Sequence, residues 1–200
     1  ITLDGSGAQS IISNGSLAQY NNLIIASTGT INFGATVYSK GNFNYTSGTV
    51  NAGAGTFTFI GRDDASINSG AVAFNNVNFD KDSNGDINIT SSMDIDGTLT
   101  LSGNSGADIN GGTINLSGDF ISNGQGASNG SMSLMMDGTL DQGITWNSTE
   151  SFQGPLTLNK ASGNVILETA VNLNTTGQDL VLTDGDILQN GFDLTVDDNL

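Results

Sequence analysis

Short alternating apolar runs, each closed off by Gly, Asn, Asp or Ser, recur along the whole chain at a drifting interval. Phe74-Asn75-Asn76-Val77-Asn78-Phe79, Gly85-Asp86-Ile87-Asn88-Ile89, Leu99-Thr100-Leu101 and Gly112-Thr113-Ile114-Asn115-Leu116 have counterparts in Leu156-Thr157-Leu158, Gly163-Asn164-Val165-Ile166-Leu167, Leu180-Val181-Leu182 and Phe192-Asp193-Leu194-Thr195-Val196. The series also runs upstream as Asn22-Leu23-Ile24-Ile25, Gly29-Thr30-Ile31-Asn32-Phe33 and Gly41-Asn42-Phe43-Asn44-Tyr45. The offset is shorter between the upstream and middle series (Leu23 to Val77, Gly29 to Gly85) than between the middle and downstream series (Gly85 to Gly163, Leu101 to Leu182), and it shifts slightly within each comparison. Drift of this kind suits a solenoid, in which each unit packs only on its neighbours and takes up extra residues at its rim.

Strand centres about every 8 to 12 residues fit either the faces of a β-solenoid or the strands of a β-sandwich. Three features favour the solenoid. The apolar runs are only three to five residues long, shorter than the usual ~5 to 6. Asn-Gly recurs at turns, as Asn84-Gly85, Asn110-Gly111 and Asn190-Gly191, where a left-handed residue swings the chain from one face to the next. Thr and Asn take the outward positions, where they can stack between coils. The expectation is an all-β chain with almost no α-helix, folded as a parallel β-helix (β-solenoid) with a right-handed coil. At roughly 20 to 25 residues per coil and ~4.8 Å per coil, about 8 to 10 coils make a rod some 40 to 50 Å long. Both ends fall inside the strand pattern, so residues 1–200 read as one continuous solenoid segment of a longer chain, with repeat blocks at roughly 1–55, 56–130 and 131–200.

Charge narrows the partners. Four Lys and Arg face 20 Asp and Glu, a formal net charge of −16, which repels phosphate backbones and argues against nucleic acid and anionic membranes. No run approaches the roughly 20 apolar residues of a membrane-spanning helix. Cysteine is absent, so neither disulfides nor thiolate metal sites contribute. Histidine is absent too; without imidazole or thiol, the usual general base and nucleophiles are missing and the chain reads as non-catalytic. Asp94 and Asp96, two apart on one strand, could form a carboxylate pair, but Met93 and Ile95 take the opposite face, so the acids read as its solvated side. The bases Lys40, Arg62, Lys81 and Lys160 are scattered over four segments.

Asp80-Lys81-Asp82-Ser83-Asn84-Gly85-Asp86-Ile87 matches the opening of an EF-hand-like calcium loop, with oxygen side chains at alternate positions and Gly at the sharp turn. Asp80, Asp82, Asn84 and Asp86 are therefore candidate calcium ligands. The twelfth position is Ser91 rather than a bidentate Glu, so an acidic turn between strands is the competing reading. Among the aromatics, Phe57, Phe59, Phe74 and Phe79 alternate as core residues do. Trp146, in Gly143-Ile144-Thr145-Trp146-Asn147, is the candidate exposed residue for stacking on a sugar ring.

Phe74-Asn75-Asn76-Val77-Asn78-Phe79, Ile95 to Leu101, Ile109 to Phe120 and Leu188 to Val196 resemble the repeats of very large exported surface proteins of Bacteroidota-type bacteria. More loosely they are similar to the β-helical shafts of filamentous-haemagglutinin and autotransporter adhesins. The resemblance implies a structural or adhesive shaft at the bacterial cell surface or outside the cell, and brings no catalytic motif. Its partners would be other segments or copies of the same surface protein, glycans, or a host or neighbouring cell surface. The alternatives are a β-helical protein that binds or degrades polysaccharide, and calcium-binding β-sandwich repeats.

Overall fold

A computed structural model describes residues 1–12, 19–82, 85–103, 107–123, 130–148 and 152–197. Those residues form an all-β structure with no helix, a β-solenoid of about 8 turns, and every strand pairing among them is parallel.

The strands stack into three faces. The first holds Thr2–Leu3, the starts of Leu23–Phe33 and Phe43–Asn51, then Ala65–Asn68, Ile87–Ile89 and Ile109–Asn110. The second holds Ala73–Phe74, Met93–Ile95, Thr113–Leu116, Ser133–Met136 and the starts of Leu156–Leu167 and Leu180–Leu188. The third runs through Gln19–Tyr20, Thr36–Ser39, Thr56–Gly61, Asn76–Lys81, Leu99–Leu101, Phe120–Ser122 and Gln142–Trp146 to the ends of the same two long strands. Gln9–Ile11 pairs with the end of Leu23–Phe33, and Val171–Leu173 with Leu194–Val196.

In-register partners define the coil, which is shortest between Gln19 and Tyr38 and longer between Phe43 and Ile67. The fundamental period is thus one coil, and the longer sequence matches cross between faces: Leu23 lies on the first face and Val77 on the third. Apolar-polar alternation is similar on every face, so a sequence match alone cannot tell them apart.

Alternation does its expected work in burial. Met93–Ile95 and Ile87–Ile89 each bury their outer two residues and expose the middle one. Stacked in register, the inward residues make continuous columns: Val37, Phe57, Val77, Leu99, Phe120, Ile144 and Leu167 are successive partners on the third face, and each is at most 2 % exposed. Burying each such side chain contributes about 1.5–3 kcal/mol. Phe57 also meets Phe33, Phe43, Phe59 and Phe74 at ring-centroid distances of 4.9 to 5.6 Å. Outward, Asn22, Asn42, Ser66, Asn88 and Asn110 succeed one another on the first face, beside a row of Thr2, Ile24, Asn44 and Asn68. The expected Asn stacking is present: Asn68 Nδ2 donates to Asn44 Oδ1 at 2.9 Å and Asn51 Nδ2 to Asn32 Oδ1 at 3.1 Å.

Two details depart from expectation. Strands are not uniformly short: Leu23–Phe33, Phe43–Asn51, Leu156–Leu167 and Leu180–Leu188 run 11, 9, 12 and 9 residues, because the chain stays extended around a corner with a shift of register there. Corners also need glycine for closeness as well as handedness. Gly111 and Gly112 take φ near +64° after Asn110, whereas a Cβ on Gly118 would lie 2.2 Å from the Gly97 carbonyl oxygen of the coil before.

The columns set the expected response to substitution. Phe120→Ala should lower stability by about 3–5 kcal/mol, whereas Asp96→Ala, on the exposed side of a corner, should stay within about 0.5 kcal/mol. Urea unfolding followed by far-UV circular dichroism checks both.

Candidate functional site

Each coil must satisfy the backbone groups that its corners leave between strands, and carboxylate and amide side chains supply part of the answer. Asp64 Oδ1 accepts the Asp86 N–H at 3.0 Å, and Asp86 Oδ1 accepts the Asp108 N–H at 3.0 Å, one coil further on each time. The same bond recurs from Asn42 N–H to Asn22, Ser66 N–H to Asn42, Thr98 N–H to Asn76, Gly143 N–H to Asp119 and Asn164 N–H to Asp141, at 2.7 to 2.9 Å. An Asx side chain at the mouth of a strand thus fixes the next coil as an N-cap fixes a helix. The signal is present in the sequence as Asx just before apolar runs, but its partner lies a whole coil away and local pattern does not reveal it.

This arrangement divides the candidate calcium ligands. Asp80 is exposed on the third face, and Asp82 lies 3.8 Å from Arg62 Nε in a solvent-exposed pair, a contact that contributes little. Both border a shallow hollow with Lys40, Arg62 and Asp63. Asp86 instead belongs to the Asp64–Asp86–Asp108 ladder, and Asn84 lies outside the described residues. Among the described residues no three acids gather closely enough to hold a metal ion. Asp94 accepts from Asn115 Nδ2 at 2.6 Å on the exposed side of the second face.

Trp146 corrects its expectation. Its side chain is 8 % exposed and packs in the core with ring centroids 5.7 Å from Phe120 and 5.6 Å from Phe152. Trp146 is the in-register partner of Ser122, an inward position on which the small neighbour leaves room for the indole. Its rings are therefore not presented as a sugar platform.

The chemistry that sequence reading missed is inside. Lys81 is 2 % exposed and Lys160 is 1 % exposed, and each caps corner carbonyls with its ammonium. Lys81 Nζ donates to the carbonyls of Lys40 and Ile60, both at 3.1 Å, and to that of Asp63. Lys160 Nζ donates to the carbonyls of Gly138 at 2.6 Å and Leu140 at 2.8 Å, and to Gln142 Oε1 at 2.6 Å. Gln142, fully buried, passes the chain of bonds on: its Oε1 accepts the Gly138 N–H at 2.9 Å and its Nε2 donates to the Leu116 and Gly118 carbonyls. All three ammonium protons find acceptors, which is what makes a buried charge tolerable. Desolvation lowers the pKa of both lysines from the ordinary 10.5; Asp63, Asp64 and Asp82 oppose the shift at Lys81, and Asp141 and Asp137 at Lys160.

No protein-family model, no curated protein and no solved structure matches this chain.

The ladder role of Asp86 requires an acceptor and no charge. Asp86→Asn should leave the melting temperature unchanged in calcium or in chelator, while Asp86→Ala should cost about 1 kcal/mol; thermal melts of both variants separate a ladder rung from a calcium ligand. For the lysines, a lowered folded-state pKa means that the unfolded chain binds more protons between that value and 10.5, so stability rises with pH across the window. Urea midpoints should therefore increase as the pH rises toward the ordinary lysine value of 10.5. The rise should vanish in Lys81→Met/Lys160→Met. At pH 7, Lys160→Met should destabilise by roughly 2 kcal/mol or more, because it strips a donor from three buried acceptors.

Proposed function

We propose that the chain is a non-catalytic shaft, structural and adhesive, from an extracellular bacterial surface protein or fibre. The observation that supports this reading best is the unbroken register of the inward columns, seven coils deep from Val37 to Leu167 on one face. A parallel stack of this kind resists bending because each coil is bonded to both neighbours across its faces, and its length scales with coil number. About 8 coils at ~4.8 Å give a spacer of about 40 Å. Its partners on this reading are other segments or copies of the same surface protein, glycans and neighbouring cell surfaces. Against the polysaccharide-groove alternative stands the position of Trp146, whose ring would be needed outside and is packed inside.

A rigid spacer makes a direct prediction about distance. Spin labels placed at Asp4 and Asp193, read by double electron–electron resonance, should give one narrow distribution of about the rod's length, unchanged by calcium or chelator. A broad distribution, or a mean distance that collapses, would overturn the shaft reading. Selective binding of one soluble glycan on an array, lost on substitution along one face, would favour the polysaccharide alternative.

A further inference from the structure

The acids are unevenly spread. Residues 1–60 carry only Asp4 and Lys40, leaving 19 of the 20 acids and three of the four bases to residues 61–200. The solenoid sharpens the contrast by placing uncharged side chains in both outward rows of the first face, through Asn110 in the sixth coil. The corner that follows this face is also polar but uncharged from the second coil onward, with Thr28, Ser47 and Ser92 exposed there. On the opposite border of the face, the Asp64–Asp86–Asp108 ladder begins the acidic surface.

We propose that the first face is a lateral docking surface for a second copy of this chain, forming a weak two-fold dimer of rods. Charge permits this face, as it does the Tyr38–Thr58–Asn78–Thr100 row of the third: two molecules at −16 repel wherever their acids meet, and both outward rows here are uncharged. Chemistry makes it self-complementary. Asn amides offer both donors and acceptors, so an Asn row can bond to its own symmetry mate. The bonds from Asn68 to Asn44 and from Asn42 N–H to Asn22 already orient these amides. Between them lies a shallow trough lined by Asn22, Asn42, Asn44 and Asn68, and Ile24, 36 % exposed at its rim, supplies apolar contact to the partner. Five coil-to-coil steps at ~4.8 Å and a strand-plus-corner width give roughly 500–600 Å² per partner, below the ~800 Å² of a standard interface. The association should therefore be weak in solution and strengthen with salt, which screens the acids outside the contact.

The inference extends the like-copy partnership of the shaft reading, and its test separates the two. Sedimentation velocity of the folded chain should show a concentration-dependent monomer–dimer equilibrium, tighter at high than at low salt. Ile24→Asp/Asn44→Asp places like charges on the face and, because each residue occurs twice in a two-fold contact, should weaken association about tenfold or more. Thr100→Asp, on the third face, should change it by less than about twofold, the size of a remote rim charge. Circular dichroism confirms that each variant folds. A wild-type chain that stays monomeric at every salt concentration into the sub-millimolar range overturns the docking face, as does dimerisation that the double variant leaves intact or that Thr100→Asp abolishes equally. A monomer that still gives the narrow Asp4-to-Asp193 distance would sink the docking face alone and leave the shaft standing.

Discussion

The backbone hydrogen bond from one coil to the next governs this molecule. It joins positions a full coil apart in sequence, so almost nothing in a single coil is satisfied by that coil alone. Even the corners obey it: Asp96 N–H donates to Phe74, Ser117 to Ile95 and Asp137 to Leu116, each at 2.8 to 3.0 Å and each one coil back. Side chains follow the same axis. The apolar columns, the Asn pairs and the Asx rungs all repeat the direction of the backbone ladder, so each coil is a template for the next and stability grows by addition of near-identical interfaces.

A stack of this kind has an interior problem at its corners, where strands end and carbonyls turn inward. Different corners solve it with different chemistry of one logic. Ser27, fully buried, donates from Oγ to the Gly5 carbonyl at 2.6 Å and accepts the Gly29 N–H at 2.9 Å. Gln178 donates to the Phe152 carbonyl and accepts from Thr175 N–H and Oγ1 at 3.2 and 2.9 Å. Lys81 and Lys160 do the same with an ammonium, trading a desolvation cost for three bonds at once. Half of the chain's four basic residues are thereby withdrawn from the surface, which leaves the exterior more one-sidedly acidic than composition implies.

How much of this is legible in the sequence follows from the range of each signal. Met93-Asp94-Ile95 and Leu99-Thr100-Leu101 announce strands because alternation is local, and Asn110-Gly111 announces a corner because left-handed backbone is a property of two residues. The parallel stack itself is readable from recurrence. What is not readable depends on coil-to-coil partners. Lys81 reads as a solvated member of an acidic turn until the Lys40, Ile60 and Asp63 carbonyls close around it. Trp146 is the exception: its polar neighbours Thr145 and Asn147 put it in phase with Ile144, so alternation already points it inward, beside Ser122 one coil back. Asp86 matches a calcium loop in its own segment and is a rung between Asp64 and Asp108 in the fold.

The variation in coil length, from the short step between Gln19 and Tyr38 to the longer one between Phe43 and Ile67, falls at the corners while the faces keep register. Corners therefore behave as splice points. Lengthening one costs little entropy, about 0.6 kcal/mol for each doubling of a flexible segment, and leaves the apolar columns untouched. A rod built this way can carry a guest segment on any coil at a height fixed by counting coils, so its outline can diversify while geometry preserves the core that holds it straight.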